Sequence, residues 1–112
     1  MIKDSLNIIK VGGAIVESEE SLQGLLMSFS SLKGRKILVH GGGKIATEVA
    51  AKLGVETQMI DGRRITSAEM LKVVTMVYGG LVNKNLVARL QALGVNAIGL
   101  TGADLNLIMS VK

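Results

Sequence analysis

The sequence predicts an α/β protein in which helices cover a parallel β-sheet. Two observations indicate this class: short apolar runs alternate with stretches of helical periodicity, and a glycine cluster follows each of the first two apolar runs. The composition agrees, because 48% of the 112 residues are hydrophobic while only Phe29 and Tyr78 are aromatic. We therefore expect one domain with an aliphatic core, and ligands at the carboxyl ends of its strands.

The first half of the chain predicts two strand–helix units. Ser18 is a suitable N-cap for the first helix, Glu19 and Glu20 favour its first turn, and Gly34 follows its end. Gly54 ends the second helix in the same way. The predicted elements are a strand over 6–11, a helix over 18–34, a strand over 36–40 and a helix over 44–53.

The second half begins with a predicted β-hairpin over 55–66. Asp61-Gly62 lies between two extended stretches and favours a type I′ turn, in which both central residues have positive φ. A long helical pattern follows, and Gly79-Gly80 is expected to break or kink it into two pieces. Residues 95–100 (VNAIGL) predict a third parallel strand, and 105–111 (LNLIMSV) predict the start of another.

Charge and composition exclude several classes of protein. The net charge of +4 favours anionic partners, but the basic residues are dispersed and few aromatic rings are present to stack on bases, so we expect no nucleic-acid partner. No cysteine is present to form a disulfide or a thiolate metal site, which fits a cytoplasmic location. The N-terminus does not resemble a signal peptide, and no apolar run is long enough for a membrane span.

Two glycine-rich loops carry the main functional signal. KVGGAI (10–15) and HGGGKIA (40–46) each expose backbone N–H groups where a predicted strand ends. If the two strands are neighbours, both loops face one crevice and can hold paired or polyanionic groups. Taken singly, each loop could instead be an ordinary glycine-rich turn between a strand and a helix. The pair together favours a site for an anionic ligand.

The second loop partly resembles two known phosphate-binding motifs, the Walker A motif and the dinucleotide fingerprint. A Walker A motif is excluded, because Ile45 occupies the position that needs Ser or Thr. A dinucleotide fingerprint is a better match: Gly41, Gly43 and Ala46 satisfy G-x-G-x-x-A, and Asp61 follows twenty residues after Gly41. However, Asp61 falls in the predicted hairpin turn rather than at the end of a parallel strand. A dinucleotide-binding module therefore remains the alternative hypothesis.

Several single residues have both a structural and a functional interpretation. Lys10 could be a solvated lysine at a strand end, although apolar residues flank it on both sides. His40 has no nearby carboxylate or serine partner in the sequence, so we interpret it as a hydrogen-bonded strand-end residue. Arg63 and Arg64 could be solvated, or a guanidinium there could clamp a carboxylate with two hydrogen bonds.

Five motifs, taken in order and spacing, resemble the N-terminal half of the acetylglutamate kinase branch of the amino acid kinase family. They are IIKVGG, VHGGGK, DGRRIT, VNKNLV and AIGLTGAD. The resemblance implies a three-layer αβα sandwich around a mainly parallel open sheet, of which residues 1–112 form the lobe that binds the amino acid. It also implies ATP-dependent phosphorylation of the γ-carboxylate of N-acetyl-L-glutamate, a step of arginine biosynthesis.

The resemblance also implies roles for individual residues. Lys10 would stabilise the transferring phosphoryl group of MgATP, and Gly12 and Gly13 would donate backbone N–H groups to the ATP phosphates. Gly42 and Gly43 would donate to the γ-carboxylate of the substrate, and Arg64 would clamp its α-carboxylate. N-succinyl-L-glutamate is the alternative substrate, because the sequence does not identify the residues around the acyl group.

The resemblance covers the amino-acid half of the family but not its nucleotide half. We therefore expect residues 1–112 alone to be catalytically inactive. Arginine-sensitive relatives have an additional N-terminal helix that links dimers into hexamers. Because the first strand begins near residue 7, we expect a homodimer that arginine does not inhibit.

Overall fold

The computed structural model describes residues 5–111, which form a mixed α/β fold with parallel strands. A π-helical segment and a 3₁₀ turn accompany the α-helices and β-strands. The elements are β1 (Leu6–Val11), α1 (Gly13–Glu17), α2 (Glu19–Ser31), β2 (Arg35–His40), α3 (Gly43–Lys52), β3 (Gln58–Ile60), β4 (Arg63–Ile65), α4 (Ala68–Val74), a π-helical segment (Thr75–Val82), α5 (Asn83–Ala92) and a 3₁₀ turn (Asp104–Asn106).

The strands β1 and β2 pair in parallel, with Leu6 opposite Arg35 and Val11 opposite His40. This confirms the two predicted strands and their order. Exposure alternates along β2, as expected for a sheet whose two faces have different environments. Because the strands are parallel neighbours, the loops that follow them emerge at the same edge of the sheet.

The helix α2 is the first predicted helix, with a shorter C-terminal end than expected. The Ser18 hydroxyl accepts a hydrogen bond from the Ser21 N–H at 3.4 Å, which confirms Ser18 as the N-cap. The helix ends at Ser31, and the Lys36 ammonium donates to the Leu32 carbonyl at 2.6 Å just beyond this end. The short helix α1 was not predicted, because five residues with a glycine start give little periodic signal.

The core lies between the covered face of the sheet and the helices. Its members are aliphatic apart from Phe29, as the composition predicted. The buried apolar residues are Val11, Val16, Leu22, Leu26, Phe29, Ala46, Ala50, Met70, Val73, Val77, Val82, Leu86 and Leu90.

The hairpin β3–β4 has the predicted turn. Its strands pair antiparallel, with Ile60 opposite Arg63. Asp61 and Gly62 have φ values of 51° and 75°, so both central residues adopt the positive φ that a type I′ turn requires. This short hairpin lies between α3 and α4 in the chain and leaves Arg64 half-buried.

Of the two outcomes expected at Gly79-Gly80, a break or a kink, the break is wrong. Helical structure continues from α4 through Thr75–Val82 into α5, and the glycines lie in the π-helical part. Val77 and Val82 are buried in this part, and their burial offsets the cost of about 1 kcal/mol that each glycine adds inside a helix. The glycines therefore coincide with a change of helical hydrogen bonding rather than with an interruption.

The two strands predicted at the C-terminal side are also wrong. Residues 95–100 contain no assigned strand, and their backbone carbonyls are instead held by side chains of α5: Gln91 donates to the Ala97 carbonyl at 3.1 Å and Lys84 donates to the Gly99 carbonyl at 3.0 Å. Residues 105–111 begin in a 3₁₀ turn, where Leu105 has a φ of 55° that a strand does not allow. An alternating sequence does not form a strand without a neighbour to pair with.

Candidate functional site

The two glycine loops lie at one edge of the β1–β2 pair. Gly12 and Gly41 each follow the last residue of their strand, and the last strand residues, Val11 and His40, are opposite each other. The Lys44 ammonium in the first turn of α3 lies 3.7 Å from the Glu17 carboxylate at the end of α1. The condition that the sequence left open, that the two strands are neighbours, is therefore met.

The first loop is open. Gly12 has ordinary extended backbone angles, φ −73° and ψ 161°, and no atom lies within 4 Å of the point where a Cβ would be placed. A Cβ at Gly13 would be 3.7 Å from Glu17 Oε1, which is an ordinary contact. Neither backbone conformation nor packing within the described chain requires glycine at position 12, so space is left for another molecule to approach the backbone.

The second loop is packed at its centre and open at its start. A Cβ at Gly42 would lie 2.9 Å from Tyr78 Cδ1 and 3.1 Å from Val82 Cγ2, so the loop lies directly on the π-helical segment. A Cβ at Gly41 would meet no atom within 4 Å. Gly42 therefore has a packing role that the sequence did not reveal, whereas Gly41 does not.

Backbone donors remain available in the second loop. Gly42 is the N-cap of α3 and Gly43 is its first residue, so their N–H groups have no acceptor within the helix. Among the hydrogen bonds between residues 5–111, none uses either N–H group as a donor. The first turn of α3 contains no acidic residue, and the partial positive charge of a helix N-terminus favours an anion.

The Arg64 guanidinium lies beside this loop. Its Nη2 donates to the Gly43 carbonyl at 2.8 Å and to the Thr47 hydroxyl at 3.1 Å, and its Nη1 lies 3.7 Å from Met70 Sδ. The hairpin thus brings Arg64 to the helix start that carries the free N–H groups. Two positive groups, the guanidinium and the helix N-terminus, are placed together, and an anion between them would relieve their repulsion.

The Lys10 side chain lies apart from this group. Lys10 is exposed, whereas its neighbours Ile9 and Val11 are half-buried and buried. Because side chains alternate along a strand, Lys10 lies with Ile8 on the opposite face of the sheet from Ile9 and Val11. Among the described residues, no hydrogen bond or ion pair to Lys10 is present. The structure therefore places Lys10 at the carboxyl end of β1 and does not bring its ammonium into contact with Arg64 or the second loop.

Asn83 is a site residue that the sequence analysis did not select. It is the one buried polar residue among residues 5–111, with 7% exposure. Its Nδ2 lies 3.0 Å from His40 Nε2, and His40 Nδ1 lies 2.9 Å from the Gly41 carbonyl. This agrees with the interpretation of His40 as a hydrogen-bonded strand-end residue. A signal was present, because Asn83 interrupts the apolar stripe that continues through Leu86 and Leu90.

Three further features of the described residues concern metal ligands, membrane spans and Asp61. No group of three or more potential metal-ligating side chains occurs among the residues that the structure describes. Likewise, no helix in this part of the chain is long and apolar enough to cross a membrane. Asp61, the acidic residue of the dinucleotide alternative, is exposed at the hairpin turn and not at the end of a parallel strand.

Comparison with known proteins gives consistent matches. The chain is 68% identical over 111 residues to the acetylglutamate kinase of Phocaeicola vulgatus, covering 99% of this chain and 43% of that protein. It is 65% identical to the acetylglutamate kinase of Bacteroides thetaiotaomicron and 41% identical to that of Methanopyrus kandleri, covering 99% and 96% of this chain and 43% and 41% of those proteins. The chain thus spans less than half the length of these relatives.

A solved structure shows the same fold over a shorter stretch. The crystal structure of smu.665 from Streptococcus mutans UA159 superposes with a TM-score of 0.61 at 28% identity, covering 80% of this chain and 37% of that one. Residues 5–112 of this chain match the model of the amino acid kinase family. Because this match includes both glycine loops and the hairpin, the chain belongs to the amino acid kinase family.

Proposed function

We propose that this chain is the amino-acid-binding part of an acetylglutamate kinase, which transfers a phosphoryl group from ATP to the γ-carboxylate of N-acetyl-L-glutamate, the second step of arginine biosynthesis. The names of the relatives support this proposal, at up to 68% identity. The structural observation that carries it is the Arg64 guanidinium, which lies 2.8 Å from the Gly43 carbonyl and beside two N–H groups without a protein acceptor. The activity is proposed for a protein of the relatives' length.

This arrangement suits a substrate with two carboxylates. The N–H groups of Gly42 and Gly43 would bind the γ-carboxylate, and their fixed direction would hold it for attack. The Arg64 guanidinium would leave the Gly43 carbonyl and form a two-donor clamp on the α-carboxylate. N-Acetyl-L-glutamate carries these two anionic groups on one short chain, as does N-succinyl-L-glutamate, which remains the alternative substrate.

The first loop would serve the nucleotide. Its open space above Gly12 and its extended backbone fit a phosphate that approaches the N–H groups of Gly12 and Gly13. Bound MgATP would supply the phosphoryl group and a divalent charge that neutralises part of the phosphate charge. Lys10, at the end of β1, would turn its ammonium toward the transferring group, where negative charge develops in the transition state.

The location, oligomeric state and partners of the enzyme follow from the same proposal. We propose a cytoplasmic homodimer that acts on small molecules, without a nucleic-acid or membrane partner. The N-terminal lobe formed by residues 1–112 would bind the acyl amino acid, and a second lobe would bind most of the nucleotide. Dimer formation is tested by light scattering on the intact protein.

A ligand screen tests the proposed function. The thermal midpoint of the intact protein should rise with N-acetyl-L-glutamate or N-succinyl-L-glutamate and with MgATP, and acyl phosphate should form when both are present. The better acyl substrate is the one that gives the higher kcat/KM. A rise with NAD and none with acylglutamates would instead support the dinucleotide-binding module, although the position of Asp61 in a hairpin turn argues against it.

A further inference from the structure

A chain of hydrogen bonds connects α5 to the second glycine loop. The Lys84 ammonium donates to Asn83 Oδ1 at 2.9 Å, and Asn83 Nδ2 lies 3.3 Å from the Leu100 carbonyl and 3.0 Å from His40 Nε2. His40 Nδ1 then lies 2.9 Å from the Gly41 carbonyl. These hydrogen bonds join Asn83 to His40, which are 43 positions apart in sequence, and end at the loop proposed to hold the γ-carboxylate.

The partners fix the direction of every hydrogen bond in this chain. An ammonium can only donate, so the Asn83 atom that faces Lys84 is the oxygen. A carbonyl can only accept, so the atom that faces Leu100 is the amide nitrogen. That nitrogen also faces His40 Nε2, which must therefore accept. The proton of the neutral imidazole is then on Nδ1, which donates to the Gly41 carbonyl.

This tautomer determines where the Gly42 N–H points. All peptide bonds between residues 5 and 111 are trans, so the C=O of Gly41 and the N–H of Gly42 point in opposite directions from one plane. Because His40 holds the carbonyl, the N–H is directed away from the imidazole ring. Glycine adopts both signs of φ readily, so backbone sterics alone do not fix the peptide between Gly41 and Gly42, and packing against Tyr78 and Val82 holds only its Gly42 side.

Packing does not replace this hydrogen bond. No atom lies within 4 Å of a Cβ placed on Gly41, so side-chain contacts do not hold that residue. The position of Asn83 is itself tightly defined, because a Cβ at Gly99 would lie 2.0 Å from Asn83 Oδ1 and 2.8 Å from Val87 Cγ2. Only glycine at position 99 leaves room for the Asn83 side chain, which explains part of the AIGLTGAD motif.

We infer that His40 and Asn83 are positioning residues for the acyl-acceptor site: Asn83 holds His40 as the Nδ1–H tautomer, and His40 orients the Gly41–Gly42 peptide so that the Gly42 N–H faces the substrate γ-carboxylate. This inference rests on the proposed function and adds two residues to it. Neither side chain touches the substrate. Their effect is on the direction of one N–H group, and misplacement of a reacting group by about 1 Å costs roughly 10²-fold in rate.

Two substitutions of His40 provide a matched test in the intact protein. In His40→Asn the side-chain amide takes the place of Nδ1 and can still donate to the Gly41 carbonyl. In His40→Gln the amide takes the place of Nε2, and the donor to Gly41 is lost. We expect His40→Gln to lower kcat/KM for the acylglutamate about 10²-fold with little change in KM for ATP, and His40→Asn to recover at least tenfold of this loss. Gln91→Leu, which removes a side-chain bond to the Ala97 carbonyl, is the control and should change kcat/KM less than threefold.

The tautomer is measured separately by ¹⁵N NMR of the imidazole, assigned by its disappearance in His40→Gln. A protonated Nδ1 and an unprotonated Nε2 are expected, and Asn83→Leu should shift the ring toward the Nε2–H form. Equal losses in the two His40 variants, or an Nε2–H form in the unaltered protein, would overturn the positioning role while the kinase activity stands. If the unaltered protein phosphorylates no acylglutamate, the proposed function fails and the positioning role with it.

Discussion

Arg64 illustrates how one residue can serve the fold and the site in turn. In the structure its Nη2 donates to the Gly43 carbonyl and the Thr47 hydroxyl, which ties the hairpin to α3. The same guanidinium, rotated slightly, would donate to a carboxylate bound beside the free N–H groups of the loop. A planar fork with five donors can make both sets of bonds, whereas an ammonium offers a point charge without the fork geometry.

We therefore predict that Arg64→Lys weakens the acylglutamate more than ATP. The loss of a charge-assisted hydrogen bond, about 1.5–3 kcal/mol, should raise KM for the amino acid by roughly one to two orders of magnitude. Arg63→Lys is the matched control, since Arg63 is the exposed neighbour on the same strand. Steady-state kinetics decides: an equal rise in both KM values for Arg64→Lys would mean that the guanidinium only supports the fold.

Lys10 should act on the chemical step rather than on stability. It is exposed at the end of β1 and has no hydrogen bond to another described residue, so Lys10→Ala should leave the melting temperature of a polypeptide of residues 1–112 unchanged. Loss of one preorganised charge contact typically lowers kcat by about 10²–10³. Lys10→Arg should recover little, and Lys33→Ala, at another exposed lysine, should have no effect. A kcat for Lys10→Ala within about threefold of the unaltered enzyme would contradict the assignment.

Asp104 provides a pH-dependent local bond. The Thr101 N–H and hydroxyl donate to its Oδ2 at 2.7 and 3.0 Å, and these bonds hold the pKa of the carboxyl below its ordinary value of 3.8. A depressed pKa means that the stabilisation is present above the ordinary value and is lost as pH falls through the folded-state value. The Thr101 amide proton should therefore shift in NMR spectra with a midpoint below pH 3.8, and Asp104→Asn should abolish that shift.

At the scale of elements, the close approach of the second loop to the π-helical segment joins the sheet layer to the long helix. The Gly42 backbone lies against Tyr78 and Val82, and no side chain fits between them. Arg64 and Asn83 reach the two sides of the same loop from the hairpin and from α5. Three elements thus define the loop conformation, which is what a site that binds through backbone N–H groups requires.

A pair of glycine substitutions separates this packing from ligand approach. Gly42→Ala should lower the free energy of unfolding by about 1–3 kcal/mol, because its Cβ would overlap the Tyr78 ring. Gly41→Ala, which meets no atom within 4 Å, should change stability by less than about 0.5 kcal/mol. Denaturant titration of the two variants checks this. Equal destabilisation would show that the contact of Gly42 with Tyr78 does not determine which glycine tolerates a Cβ.

The elements that the sequence predicted correctly are those with local signals. The apolar runs of β1 and β2, the Ser18 cap and the Asp61-Gly62 turn depend on residues a few positions apart, and the structure confirms them. The strand predicted at 95–100 failed because pairing depends on a neighbour, which a periodic pattern does not identify. Side chains of α5 hold its carbonyls instead.

The candidate site shows the same division. The glycine loops were visible as sequence, and the resemblance led to Arg64 beside them. The link from Asn83 to His40 joins residues 43 positions apart, and the packing of Tyr78 on Gly42 also depends on the tertiary fold. Of these two contacts, only the first was indicated by the sequence, because Asn83 is a polar residue within an apolar helix stripe. Contacts of this kind follow from packing rather than from local spacing.

At the scale of the whole molecule, one face of the sheet is left uncovered by residues 5–111. Helices pack on the face that carries Ile9 and Val11, whereas Ile8 is 62% exposed and Ile37 and Val39 are 47% and 44% exposed on the other. Parallel sheets in α/β proteins are covered on both faces. The curated relatives are more than twice as long as this chain, so we expect the additional chain of a protein of that length to cover this face.

Ile8→Lys should therefore have opposite effects in two contexts. In a polypeptide of residues 1–112 alone, the uncovered face and the unpaired strand edges favour association, and a charge in place of Ile8 should reduce the apparent mass in light scattering. In a protein of the relatives' length, the same lysine would be buried in an apolar interface without a partner, and the free energy of unfolding should fall by several kcal/mol. Lys33→Ala, at an exposed residue outside both strands, is the control in both contexts. If Ile8→Lys leaves the longer protein as stable as before, the face is open to solvent there too, and the covering layer inferred from the exposed isoleucines does not exist.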